Sequence, residues 1–158
     1  MVDKGQSKKL CFAASSGGHF EQIAMLKPLM DKYESCVVTE RTEYKSSIKG
    51  QKMHYLHQVN RKEVTFPFWM IVNALKSIKI IIEEKPDMVI STGVLAMIPL
   101  CLITKFLRKK LIYIESFAKI SSPTESGKLI YKFADQFYVQ WESMLKFYPN
   151  AIYLGGIY

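Results

Sequence analysis

Leu10-Cys11-Phe12-Ala13-Ala14 opens a series of short apolar runs, rich in β-branched and aromatic residues, that alternate with longer segments of helical period. That alternation is the signature of successive βαβ units, and it restricts the chain to a mostly parallel sheet with helices on both faces. Six or seven strands are predicted: Leu10 to Ala14, Cys36 to Thr39, Met53 to His57, Met88 to Ser91, Leu111 to Ile114, Gln136 to Val139 and a weak last one at Ile152 to Leu154. Helices are predicted from His19 to Tyr33, Phe68 to Glu84, Leu95 to Leu107, Glu125 to Ala134 and Glu142 to Phe147. The expected organisation is a disordered polar tail over residues 1–8, then one Rossmann-like α/β domain over 9–158; that length supports a core without disulfides or metal.

The composition, 49% hydrophobic and 23% charged, excludes a disordered chain. Cys11, Cys36 and Cys101 each lie singly in an apolar run without C-x-x-C spacing, so they read as buried reduced thiols of a cytosolic protein. No metal and no cofactor is expected. The N-terminus lacks a secretory signal, and the longest uncharged apolar run, Gly93 to Thr104, is too short to span a bilayer. A net charge of +8 calls for an anionic partner: nucleic acid, acidic lipid or a phosphorylated substrate. Basic residues gather at Lys8-Lys9, Lys45 to Lys52, Arg61-Lys62, Lys76 with Lys79, and Arg108-Lys109-Lys110; taken singly, each also fits a solvated face. A nucleic-acid-binding module would explain the charge, but no nucleic-acid motif is recognisable and none is expected to bind.

In an open parallel sheet the ligand crevice lies beyond the carboxyl ends of the strands. There the chain carries Ser15-Ser16-Gly17-Gly18-His19, Glu40-Arg41, Gln58, Thr92-Gly93, Glu115-Ser116 and Gln140-Trp141, polar or small residues in a mostly apolar sequence. Asp87, at the entry of its strand, is given a structural role in the turn after Pro86. Ser15 to His19 joins a strand to a helix, where glycines admit close backbone approach and helix amides attract a phosphate or pyrophosphate. A tight βα turn is the plain alternative. The run is neither G-x-G-x-x-G, since Ser15 and Phe20 occupy glycine positions, nor a Walker loop, since no Lys-Ser or Lys-Thr follows. His19 is a candidate base or phosphate donor, or simply a capping histidine. Glu115 leaves an apolar strand as a candidate base or sugar-hydroxyl acceptor, or as a loop carboxylate paired with a lysine. Phe66, Phe68 and Trp69, with Lys76 and Lys79, lie in a segment more apolar than a one-sided helix needs; it suits an anionic lipid interface or a well-buried core helix.

Ser15 to His19, Pro86-Asp87 leading to Ser91-Thr92-Gly93, Tyr113-Ile114-Glu115-Ser116 and Ala134 to Trp141, taken together and in order, resemble the acceptor-binding subunit of the eukaryotic UDP-N-acetylglucosamine transferase of asparagine-linked glycosylation. They are similar also to bacterial capsule and exopolysaccharide proteins of the PssD and CpsF type, over about Lys9 to Tyr158. A more distant likeness is to the N-terminal domain of MurG, matched at Gly17-Gly18-His19, Glu115, and Pro123 with Gly127; Ser15-Ser16 and Ser116 depart from it.

The resemblance implies the N-terminal half of a GT-B glycosyltransferase split into two polypeptides, and a length without a second βα series agrees with that half. A separate donor-binding glycosyltransferase subunit would supply the UDP-sugar. This chain would take an undecaprenyl-pyrophosphate-linked sugar acceptor at Ser15, Ser16, Gly17, Gly18, Thr92, Gly93 and Ser116, with His19 or Glu115 as base. It would rest peripherally on the anionic surface of the cytoplasmic face of the cell membrane. The competing expectation is a stand-alone nucleotide-sugar-binding enzyme. The terminal run Tyr153 to Tyr158 reads as a partner interface or as a last strand and tail.

Overall fold

The structure, a computed structural model, describes residues 8–43 and 46–158. Most of the expected tail therefore lies outside the described residues, as does Lys45 of the second basic cluster. Seven strands form one parallel sheet: β1 (Lys9–Ala14), β2 (Glu34–Arg41), β3 (Lys52–His57), β4 (Met88–Gly93), β5 (Lys110–Ile114), β6 (Gln136–Val139) and β7 (Ile152–Tyr153). Their order is β3-β2-β1-β4-β5-β6-β7, so the chain builds outward from β1 in one direction and then restarts at β4 in the other. The strand series predicted from the apolar runs is borne out: the first five runs are lengthened by up to two residues at an end, the sixth is unchanged and the last is one residue shorter. β1 and β4 are the innermost strands, and burial of both their faces explains their unbroken apolar character.

Helices α1 (Gly18–Ala24) and α2 (Lys27–Lys32) cover one face, where Ile23 and Met30 pack on Phe12, Val37 and Ile90. Helices α3 (Phe66–Glu84), α4 (Ile98–Phe106) and α5 (Glu125–Tyr131) cover the other, burying Ile80, Leu100 and Ile130 against Cys11, Val38 and Leu111. The three cysteines are buried and free, as expected.

Three helix expectations are corrected. The single helix expected from His19 to Tyr33 breaks at Met25-Leu26, because Pro28 lacks an amide and its ring would meet the Ala24 carbonyl, whereas at the start of α2 it fits. Leu95–Met97 forms a 3₁₀ turn before α4, which begins with Pro99 in its first turn. The last predicted helix is a 3₁₀ turn over Glu142–Lys146. At the other end of α3, Lys85 adopts the left-handed conformation and Pro86 prevents continuation. Asp87 then accepts the Lys9 amide at 2.8 Å and donates its own amide to the Lys9 carbonyl, fulfilling the structural role expected of it.

Candidate functional site

The sheet order reverses between β1 and β4, the switch point beyond whose strand ends an open parallel sheet places its crevice. Three hydrogen bonds lock the loops together: Ser15 N–H to the Gly93 carbonyl (2.7 Å), the Thr92 hydroxyl to the His19 carbonyl (2.9 Å), and His19 Nδ1 to the Thr92 carbonyl (2.7 Å). A carbonyl only accepts, so Nδ1 is assigned the proton and the imidazole is fixed as the tautomer whose Nε2 carries a lone pair. Among the described residues no protein group bonds Nε2. His19 thus presents Nε2 as an available acceptor at the switch point, half-buried on the first turn of α1. Gly17, with φ +75, makes the turn into α1, a conformation that costs glycine least.

Glu40, the penultimate residue of β2, stands at the crevice edge as expected and holds the loop after β1. Its carboxylate accepts the Ser16 amide and hydroxyl, each at 3.2 Å, and it is buried. Burial pushes its pKa up, against the opposing effect of Ser16, the Val59 amide and the nearby His19. The Ser16 amide of the glycine loop is therefore committed to a carboxylate, while Gly17 and Gly18 remain exposed. Ser15 and Thr92 are buried struts of this crevice.

Glu115 points inward rather than into the crevice. It is 1% exposed and accepts the Ser116 amide (2.9 Å), the Thr124 amide (3.2 Å), the Thr124 hydroxyl (2.9 Å) and the Tyr148 hydroxyl (2.6 Å). Burial, then the Glu115 carboxylate, push the Tyr148 phenol well up. Thr124 in turn caps α5 by accepting the Gly127 amide at 2.8 Å. Ser116 is buried in the same knot. No lysine pairs with Glu115 among the described residues, so the loop-carboxylate alternative is replaced by a hydrogen-bonded hub. Behind it, Gln140 donates to the Gln22 side chain (2.7 Å) and to the Glu115 carbonyl (2.9 Å), tying β6 to α1.

The α3 segment divides its residues. Trp69 stacks on His57 with ring centroids 3.5 Å apart, and Asn73 bonds both the amide and the carbonyl of His57, so this face grips the end of β3. Phe66 is half-buried. Phe68, Ile71, Leu75 and Ile82 are each 60–64% exposed and, with Ile78, recur at alternating steps of three and four along one side. Lys76 and Lys79 stand exposed beside them. Of the expected membrane-contact residues, Trp69 is thus turned to the core of the fold and Phe68 is not. Among the described residues no helix is long and apolar enough to cross a membrane.

At the amino edge of the sheet, Cys36, His54 and Glu84 offer ligand atoms within 4.8 Å of one another. The Glu84 carboxylate, however, already accepts Lys9 (2.8 Å), Lys52 (2.6 Å) and His54 (2.7 Å), which makes this an ion-pair hub joining α3 to β1 and β3.

The family model described as "Oligosaccharide biosynthesis protein Alg14 like" matches residues 10–157. The chain is 30% identical to the UDP-N-acetylglucosamine transferase subunit ALG14 of Homo sapiens, over 99% of this chain and 86% of that protein. It is 30% identical to the Schizosaccharomyces pombe subunit of the same name, over 94% of this chain and 82% of that protein. Among solved structures, MurG of Acinetobacter baumannii superposes with a TM-score of 0.72 at 15% identity, covering 86% of this chain and 42% of MurG. UDP-N-acetylglucosamine 2-epimerase of Rickettsia bellii superposes with a TM-score of 0.74 at 12% identity, covering 96% and 46%. The chain thus has the fold of one half of these GT-B enzymes and spans less than half of their length.

Proposed function

Because the chain belongs to the family of Alg14-like oligosaccharide biosynthesis proteins, we propose that it is the acceptor-binding subunit of a two-component inverting glycosyltransferase. It extends a lipid-pyrophosphate-linked sugar, and a partner subunit holds the UDP-sugar donor. The observation that carries this reading is His19, fixed by Thr92 in one tautomer with Nε2 unbonded among the described residues, at the switch point of a GT-B half. The acceptor hydroxyl oxygen attacks the anomeric carbon of the donor, the bond from that carbon to UDP breaks with its electron pair leaving on UDP, and the hydroxyl proton passes to His19 Nε2. Glu115 is a positioning residue in this scheme, since its oxygens already accept four donor groups. The named relatives make UDP-N-acetylglucosamine the first donor to try.

The exposed stripe of α3 and its lysines support peripheral attachment to an anionic membrane surface on the cytoplasmic side, where an undecaprenyl-linked acceptor resides. Capsule or exopolysaccharide assembly, the setting of the PssD and CpsF type, is the corresponding biological role, supported by the order of the four sequence motifs. The test is transfer of radiolabelled sugar from UDP-sugars to a glycosyl-pyrophosphoryl-lipid by this chain, its partner, and both. Transfer that requires both supports the division of labour; full transfer by this chain alone refutes it.

A further inference from the structure

A cleft of about 860 Å³ opens at the carboxyl edge of the sheet, between the end of β3 and the 3₁₀ turn after β4. Arg41, Arg61 and Lys62 line it, with His57 and Asn60 beside them and Glu63 as the one lining carboxylate, so the three cations leave a local excess of two positive charges. None of these cations forms an ion pair among the described residues, although eight such pairs occur elsewhere. The loop that bears Arg61 and Lys62 is ordered by its own bonds. The Lys62 amide donates to the Asn60 side chain (3.1 Å), the Glu63 amide to the Asn60 carbonyl (3.1 Å) and the Phe66 amide to the Glu63 carbonyl (3.0 Å). Its floor is equally fixed, because Trp69 and Asn73 hold His57.

The glycine loop, the other place for an anion, has its Ser16 amide occupied by the Glu40 carboxylate, and a second anion there would meet that charge. The cleft sets three cations against the Glu63 carboxylate, with Glu40 behind it at the Val59 amide, and its guanidinium groups suit two-point contact with phosphate oxygens. It also adjoins the N-terminal end of α3, whose outer side begins the exposed apolar stripe at Phe68. The geometry points to this cleft as the seat of the diphosphate of a prenyl-diphosphate-linked ligand, with the prenyl chain leaving toward the α3 stripe and the sugar directed toward His19. The assignment rests on the acceptor-subunit reading above and moves the diphosphate away from the glycine loop.

A binding experiment on the chain alone tests it without partner or sugar. The ¹⁵N-labelled protein is titrated with inorganic pyrophosphate, geranyl diphosphate and UDP-N-acetylglucosamine in turn, following the amide resonances. The expected result is shifts centred on Arg41 and Gln58 to Glu63 with both diphosphates, tighter for geranyl diphosphate, and binding weakened at least tenfold in R41A/R61A. Salt should weaken both. Shifts centred on Gly17 to His19 that survive in R41A/R61A would return the diphosphate to the glycine loop. UDP-N-acetylglucosamine binding more tightly than geranyl diphosphate would make this a nucleotide site and overturn the lipid assignment. No shifts with any of the three would remove the site altogether. A negative result here leaves transfer by the two-subunit pair untouched, and failure of transfer beside normal diphosphate binding would sink the transferase reading instead.

Discussion

Replacing Glu115 separates a structural carboxylate from a chemical one. Glu115→Ala removes the acceptor of the Tyr148 hydroxyl, the Thr124 amide and hydroxyl, and the Ser116 amide, in a site with 1% exposure. Each buried donor left without a partner costs about 1–3 kcal/mol, and Thr124 lies near enough to the surface for water to reach part of the gap. The net loss should be about 4 kcal/mol, a fall in Tm of about 12 °C for a chain of this size. Glu115→Gln keeps one carbonyl oxygen and lets the Tyr148 hydroxyl rotate, so it should cost about 1–2 kcal/mol.

Gly127→Ala probes the same knot from the helix, since its Cβ would lie 2.1 Å from Glu115 Oε2, 2.6 Å from the Tyr148 hydroxyl and 2.7 Å from the Thr124 hydroxyl. Removing the Glu115 side chain opens that space, so the double variant should be more stable than the sum of the single losses by about 1 kcal/mol or more. Urea denaturation of the four variants and the parent supplies all the terms. The decisive comparison is Glu115→Gln in the transfer assay: a structural carboxylate leaves transfer within about tenfold of the parent once folded protein is counted, whereas loss of a base removes about 10²–10⁴. A well-folded Glu115→Gln protein with transfer lowered a thousandfold would refute the positioning role.

His19→Gln should lower transfer by the reconstituted pair by about 10²–10⁴ with little change in acceptor KM, and a loss of less than tenfold would exclude it as the base. Ile71→Glu and Leu75→Glu alter exposed positions, so stability should stay within about 0.5 kcal/mol while co-sedimentation with anionic vesicles falls at least tenfold; unchanged sedimentation would clear α3 of membrane contact. For Glu84, burial opposes ionisation, but bonds from Lys52, Lys9 and His54 outweigh it and hold the carboxyl at about 2, below the ordinary 4.5. A depressed folded pKa gives stability that is complete above 4.5 and drains away as pH falls from 4.5 toward 2. Glu84→Gln should therefore cost about 2 kcal/mol at pH 7, allowing for solvent around Lys52, and flatten the loss between pH 5 and 3; parallel curves for the two proteins would contradict the assignment.

The fold was legible because apolar runs such as Leu10 to Ala14 and Leu111 to Ile114 are bounded by polar turns, and because parallel strands buried on both faces leave so plain a mark. The break in the first helix was written in Pro28, but a proline at that position is compatible with either a kink or a new start, and packing of Ile23 and Met30 on the sheet chose the latter. At the site, position along the strand was enough to gather Ser15 to His19, Glu40-Arg41 and Thr92-Gly93 at one edge. It could not say which way a side chain turns once past the strand, and this is where Glu115 and Trp69 departed from expectation. The cationic cleft was divided between Arg41 and Arg61-Lys62, twenty residues apart, and only the parallel pairing of β2 with β3 brings their loops together.

The restart at β4 also shapes how the molecule comes into being. Strands β3, β2 and β1 form one wing and β4 to β7 the other, and among the described residues the ladder from Leu10–Met88 to Ala14–Gly93 is the one strand pairing that joins them. During synthesis, the apolar strand at Leu10 to Ala14 therefore waits with one edge bare until residues 88–93 have emerged from the ribosome. For that interval a strand that lies in the interior of the finished sheet is an open edge, the kind of surface on which nascent chains stick to one another.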